Sequence, residues 1–329
     1  MTFNWGIIGT GGIAKAFARD LDFVEDQRVL AVGSRGVDRA QIFADDLKIE
    51  RSYPSYEELV SDPDIDAVYV ATPHPDHLRS TLLALDAGKP VLCEKPFAIS
   101  AAEAATMIER ARSKKLMLME AMWARFLPHM HQIRSVLAAG AIGEVVTVEA
   151  DHGQWFPDDP KFRLFAPELG GGALLDLGIY PISFAHMVLG TPKTITARSE
   201  KAQTGVDATT SAIFQYESGA QAILSTTLRA ATPCRAVITG TTGRIEIDRT
   251  FYAPTSYRVV LRDGGTVEHA NDYQGHGLRE EAIEFARCVR AGLLESPTLP
   301  LSETLQIMQS LDEIRKQIGL SYPFETNKS

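Results

Sequence analysis

Three groups of residues in this chain are of types and spacings that could do chemistry. The first is Gly9-Thr10-Gly11-Gly12-Ile13-Ala14, a G-x-G-x-x-A turn. Gly9 would permit the tight turn, Gly11 would let the backbone approach a pyrophosphate, and Ala14 would let a following helix pack close to the preceding strand. The anion then rests on unpaired helix N–H groups and the positive end of the helix dipole. The second group is Glu94-Lys95-Pro96. A Lys there, flanked by apolar Cys93 and Pro96, can stay cationic and polarise an oxygen. The third is Gly170-Gly171-Gly172-Ala173-Leu174-Leu175-Asp176-Leu177-Gly178-Ile179-Tyr180, in which Asp176 and Tyr180 are four residues apart and share one face of a helix. A phenol ordinarily ionises near a pH of about 10, too high for a base at neutral pH without help. A neighbouring Lys95 ammonium would favour the phenolate, and Asp176 is the natural residue to orient the pair. Each group also has a plain structural reading: a glycine-rich turn, a surface Lys paired with Glu94, an ordinary buried helix.

The flanking elements are those such chemistry needs. Phe3 to Gly9 is a short apolar run that reads as a buried parallel strand, and Ile13, Phe17 and Leu21 recur every four residues as a helix stripe. Strand, glycine turn and helix in that order are the context of a dinucleotide-binding site. The second strand ends at Ser34-Arg35, where an NAD-binding chain of this kind carries an acid for the ribose 2′-hydroxyl; between Val29 and Val37 there is none. A hydroxyl and a guanidinium suit a 2′-phosphate, with Arg39 one helical turn further on, so NADP(H) is the expected cofactor. Strands at 65–71, 90–96 and 116–120 alternate with helices at 38–47, 77–87 and 101–113. His74, Asp76 and His77 have metal-ligand types, but their place suits a loop and helix start with Asp76 as N-cap, so no metal site is expected.

The fold class is α/β: an N-terminal Rossmann-type doubly wound parallel sheet over residues 1–121, then an α/β domain with an open, mostly antiparallel sheet over 122–329. In the second part a helix at 129–139 and a strand at 145–151 precede the glycine loop and a helix at 173–189. Strands at 194–200, 209–216, 220–228, 235–240, 243–248 and 257–262 then follow in succession, and helices at 277–291 and 302–318 close the chain. Strand 220–228 carries apolar and small residues on both sides, which points to a homodimer contact through the open sheet face, or to a covering loop. A net charge of −9 argues against nucleic acid or an anionic membrane as partner. Cys93, Cys234 and Cys288 suggest neither a disulfide framework nor a zinc pattern. No apolar run approaches a membrane span and Met1 to Asn4 opens directly into a strand, so a cytoplasmic protein is the expectation.

The three groups together resemble the glucose–fructose oxidoreductase/inositol dehydrogenase (Gfo/Idh/MocA) family, along the whole chain. Within it the likeness is nearest to the dimeric dihydrodiol dehydrogenases and their NADP-dependent D-xylose dehydrogenase relatives. It rests also on Tyr56-Glu57-Glu58-Leu59, Glu120-Ala121-Met122-Trp123-Ala124-Arg125-Phe126, Thr204-Gly205-Val206-Asp207 and Pro300-Leu301-Ser302-Glu303. Many members carry His where Tyr180 stands, whereas the dihydrodiol dehydrogenase branch carries Tyr, so this position supports the subgroup. The resemblance implies Lys95 as the catalytic lysine, Tyr180 as the acid/base and Asp176 as the residue fixing both. It implies Ser34 and Arg35 on the 2′-phosphate, Thr72, Pro73 and His77 beside Gly9, Gly11 and Gly12 along the cofactor, and Trp123 and Arg125 near the nicotinamide and substrate. His152 stands where an aromatic pocket residue would be expected and His276 would lie nearby, which favours a sugar or other polyol over an aromatic diol. The implied activity is hydride transfer between NADP and a carbinol or carbonyl carbon of a sugar or cyclic diol. The alternatives are an NADP-binding sensor without turnover, against which Lys95, Asp176 and Tyr180 all speak, or a reductase of another small carbonyl compound.

Overall fold

Residues 2–326 of the computed structural model are described here, and they form two units. The first runs to Phe126 and takes in Gly275–Leu305; the second comprises Leu127–Gln274 and the chain from Gln306 on. In the first unit, apolar runs form β1 (Phe3–Ile8), β2 (Gln27–Gly33), β3 (Arg51–Tyr53), β4 (Ala67–Val70), β5 (Val91–Glu94) and β6 (Leu118–Ala121). All pair in parallel, in the order β3-β2-β1-β4-β5-β6. The chain order reverses beside β1, and ligands in such sheets bind at the carboxyl ends of the strands at that switch point. Strand β3 was not foreseen: its Arg-Ser-Tyr is short and carries no apolar run.

Helices Gly12–Asp20 and Leu278–Arg290 share the core on one side of this sheet. Phe17 stacks on Tyr69 at 3.9 Å between ring centres, and Trp5 lies 5.1 Å from Phe285. The Asp20 carboxylate at the end of the first of these helices accepts the backbone N–H groups of His276, Gly277 and Arg279 at 2.7, 2.9 and 2.9 Å, capping the other. A single cut at residue 122 therefore does not describe this packing, because the stretch from Gly275 returns to the first unit. Asp76 precedes helix His77–Asp86 but makes no side-chain cap; its carboxylate takes Arg79 instead, at 2.8 Å.

The second unit is built on β7 (Val145–Gly153), β8 (Thr194–Lys201), β9 (Asp207–Gln215), β10 (Gln221–Thr227), β11 (Ala236–Gly240), β12 (Gly243–Ile247), β13 (Tyr257–Leu261) and β14 (Thr266–His269). Their order is β14-β13-β12-β11-β7-β10-β9-β8, antiparallel except where β10 runs parallel to β7. The edge strand β14 is polar and largely exposed, which is why the sequence did not reveal it. Along β10, Ala222, Leu224 and Thr226 face the covered side, while Ile223 is 46% exposed opposite Ile213 of β9 at 43%. Pro167–Leu189 is long and apolar enough to span a membrane, contrary to the expectation that no run approaches one. It is a buried core segment of this unit.

Candidate functional site

In the first unit the glycine turn makes a cradle. Gly9 has φ +111°, and a Cβ there would come within 2.6 Å of the Ala71 carbonyl oxygen at the end of the neighbouring strand β4. Only glycine satisfies both conditions. A Cβ on Gly11 or Gly12 would meet nothing within 4 Å, so space lies open over the start of helix Gly12–Asp20, with Thr10 and Ile13 half-buried on either side. Thr72 Oγ1, beyond β4, is buried without a hydrogen-bond partner among the described residues. An open helix N-terminus and an orphaned hydroxyl at a switch point fit a dinucleotide. Ser34 ends β2 and is buried, whereas Arg35 and Arg39 are exposed.

His77, expected along the cofactor, is instead fully buried. Its ring nitrogens lie 2.9 Å from the carbonyl oxygens of Pro96 and Thr72, so it braces two loops against each other. Burial lowers its pKa, an effect opposed by its bonds to the two carbonyls. Pro73 is exposed beside it. Among the described residues no cluster of His, Cys, Asp or Glu could hold a metal.

Lys95 is half-buried just past β5. Glu94 is buried, and its carboxylate accepts the Tyr69 hydroxyl and, at 3.0 Å, the Lys95 backbone N–H. A second buried acid holds the same segment. Glu120 accepts the Phe97 N–H at 3.2 Å on one oxygen and the Thr304 hydroxyl at 3.1 Å on the other. Burial pushes its carboxyl up to about 7. Arg125 is buried and bonds Glu303 at 2.8 Å, and buried Trp123 lies 5.0 Å from the exposed ring of His276. The E-A-M-W-A-R-F and P-L-S-E stretches thus meet through Glu120–Thr304 and Arg125–Glu303, pairings that spacing could not show.

In the second unit the glycine loop and the helix after it carry Asp176 and Tyr180. The segment Leu174–Gly178 is wound as a π-turn, not the continuous α-helix foreseen, and passes into helix Ile179–Leu189. Such turns recur at functional sites. Pro181 supplies one cause: it has no N–H for the carbonyl four residues back, that of Leu177. His152 of β7 places Nδ1 3.1 Å from that oxygen. Its Nε2 lies 3.0 Å from Gln154 Nε2, so the ring donates through Nδ1 and accepts through Nε2. His152 lies 5.3 Å from Tyr180 and 4.1 Å from Tyr252, and Tyr180 and Tyr252 are 4.5 Å apart. Gln154 also reaches the Tyr252 hydroxyl at 3.3 Å. Asp176 is buried and held by Arg163 at 3.0 Å. Tyr252, Gln154 and Arg163 were missed; only the G-Q-W segment after His152 hinted at one of them.

Models of known families match both parts: an oxidoreductase family with an NAD-binding Rossmann fold over residues 3–122, and a GFO/IDH/MocA C-terminal domain over 130–246. The chain is 40% identical to a D-xylose 1-dehydrogenase (NADP(+)) of Hypocrea jecorina, across 98% of this chain and 93% of that protein. It is also 40% identical to a trans-1,2-dihydrobenzene-1,2-diol dehydrogenase of Xenopus laevis, across 98% and 100%. Among solved structures, a 3-ketoreductase from Actinomadura kijaniata in complex with NADP and TDP-benzene superposes with a TM-score of 0.84 at 28% identity, covering 97% of this chain and 98% of that one. An aldose-aldose oxidoreductase from Caulobacter crescentus complexed with glycerol gives 0.87 at 25%, covering 96% and 97%. With family models matching residues 3–122 and 130–246 and relatives 40% identical over 98% of its length, this chain belongs to the Gfo/Idh/MocA family of NAD(P)-dependent oxidoreductases.

Proposed function

We propose that this protein is an NADP-dependent dehydrogenase that oxidises a carbinol carbon of a sugar or cyclic diol, or reduces the corresponding carbonyl. NADP would be held by Gly9 to Ile13, Thr72 and Pro73, with Ser34 and Arg35 on its 2′-phosphate and Arg39 nearby. Bound, it supplies the hydride acceptor or donor. Tyr180 removes the substrate's hydroxyl proton, and the Lys95 ammonium stabilises the alkoxide that develops. Asp176, fixed by Arg163, orients this pair. The observation that carries the reading is the Tyr180–His152–Tyr252 ring cluster, with Gln154 bonded to two of its members. Its polar atoms suit a polyol better than an aromatic ring, and Trp123 and His276 would be further substrate contacts. The relatives' names, a sugar dehydrogenase and a diol dehydrogenase, support the same substrate class.

A homodimer through the open face of the second sheet belongs to this reading, supported by the exposed Ile213–Ile223 pair. So does a cytoplasmic location, in keeping with three buried cysteines that form no disulfide. The test is nicotinamide absorbance with NADP⁺ and NAD⁺, each offered D-xylose, D-glucose and a cyclic trans-diol. Turnover by the wild type that is lost in Tyr180→Phe supports the mechanism. Absence of turnover on all three, with NADPH still bound, would leave a sensor or a reductase of another carbonyl compound.

A further inference from the structure

The chemistry proposed for Asp176 and Tyr180 requires that the start of their helix be held still, and the structure shows what holds it. Asp207, the last residue of the T-G-V-D stretch, lies at the head of β9 and is fully buried. One of its oxygens, Oδ2, accepts the Leu174 backbone N–H at 2.8 Å and the Thr210 hydroxyl at 2.7 Å. Leu174 opens the π-turn that contains Asp176 and delivers Tyr180. The other oxygen, Oδ1, has no hydrogen-bond partner among the described residues. It lies so close to Gly172 that a Cβ there would stand 2.2 Å from it, at a φ of +123°. The glycine loop is held a second time. The buried Tyr322 hydroxyl donates to the Gly171 carbonyl at 2.8 Å, and Arg315 lies over the Tyr322 ring at 5.0 Å.

We infer that Asp207 is a positioning residue for the reaction, fixing the Asp176–Tyr180 helix by its bond to the Leu174 N–H, with Tyr322 as a second tether on the same loop. The inference rests on Tyr180 being the acid/base. The two bonds on one oxygen leave little freedom to the turn, and neither of them needs the carboxyl to be charged. A displacement of the order of 1 Å at a reacting group costs up to about 100-fold in rate, so loss of the tether reads out as turnover rather than as cofactor affinity. Asparagine keeps the oxygen that accepts both bonds and has nearly the same volume.

The experiment compares wild type, Asp207→Ala, Asp207→Asn, Tyr322→Phe and Tyr180→Phe, each as the full chain, with NADP⁺ and D-xylose and a trans-diol as probes. It measures kcat, KM, NADPH Kd by fluorescence and hydrogen exchange of peptide 173–180. Asp207→Ala should lower kcat about 10- to 100-fold, leave NADPH Kd within about twofold and speed exchange in that peptide. Asp207→Asn should restore kcat to within about threefold and exchange to the wild-type rate, and Tyr322→Phe should fall between. Should Asp207→Ala not fold, the Asn and Phe variants decide alone: Asp207→Asn losing turnover as Tyr180→Phe does overturns the inference. So does Asp207→Ala turning over like wild type while Tyr180→Phe is dead. Turnover unchanged in Tyr180→Phe would instead overturn the mechanism on which it rests, whatever Asp207 does.

Discussion

Replacing Arg35 with alanine should separate the two nicotinamide cofactors, and the expected size follows from where the residue sits. The 2′-phosphate, which NAD lacks, carries between about −1.5 and −2 charges. Arg35 is exposed at the end of β2, so its guanidinium meets that phosphate in a water-like dielectric. One pair of unit charges at 4 Å is then worth about 1 kcal/mol, giving roughly 2 kcal/mol for the phosphate. At about 1.4 kcal/mol per tenfold, this predicts a loss of roughly 30-fold in kcat/KM for NADP⁺. For NAD⁺ no change beyond twofold is expected. Ser34 is 6% exposed, and a hydrogen bond to a charged group is worth about 1.5 kcal/mol, so Ser34→Ala should cost about 10-fold, again for NADP⁺ alone. The assay is initial rate against each cofactor at 50 and 500 mM salt. The advantage of wild type over Arg35→Ala should shrink at high salt, because an exposed pair is screened. Equal losses with both cofactors in Arg35→Ala, or a wild type that prefers NAD⁺, would refute the reasoning.

Three further outcomes are expected. The Glu120 carboxyl is raised from an ordinary 4.5 to about 7 by burial, so ionising it opposes folding. Its stabilisation is full below about pH 4.5 and is lost as pH climbs to about 7, by roughly 3 kcal/mol; Glu120→Gln should lack this part of the slope in urea midpoints from pH 4.5 to 8, and an unchanged slope would contradict it. Gly9→Ala meets a carbonyl at 2.6 Å, whereas Gly88→Ala, at φ +81°, meets nothing within 4 Å. NADPH affinity by calorimetry should therefore fall more than about tenfold in the first and hold in the second, and wild-type affinity in Gly9→Ala would defeat the cradle. Finally, Ile223→Asp should run in light scattering at the 36.0 kDa of a single chain, where wild type runs at twice that; a monomeric wild type would remove the dimer.

What the sequence disclosed were the parts whose pattern is local. The strand–turn–helix at Gly9 lies where spacing put it, and the helix expected over 77–87 runs from His77 to Asp86. What it hid is non-local or polar. Asp20 bonds residues more than 250 positions away, Glu120 finds Thr304, and Tyr252 joins His152 from a loop with no periodicity of its own. The π-turn escaped because its cause, Pro181 depriving Leu177 of a donor, is answered by a histidine on another element. The T-G-V-D and P-L-S-E stretches were visible as a resemblance, yet their work, Asp207 on Leu174 and Glu303 on Arg125, joins segments that lie far apart in the chain.

The return of Gly275–Leu305 to the first unit governs how this protein can be born. A ribosome that has released only the first 126 residues has made every strand of the parallel sheet but not Phe285, which Trp5 needs, nor the backbone amides that Asp20 receives. The nascent nucleotide unit must wait, with aromatic surface uncovered, while about 150 more residues are synthesised at roughly 5–20 per second. That interval is long enough for a chaperone to engage it. A chain truncated near residue 126 would reproduce this waiting state permanently, so a soluble cofactor-binding fragment has to be assembled from two stretches of chain joined by a new linker.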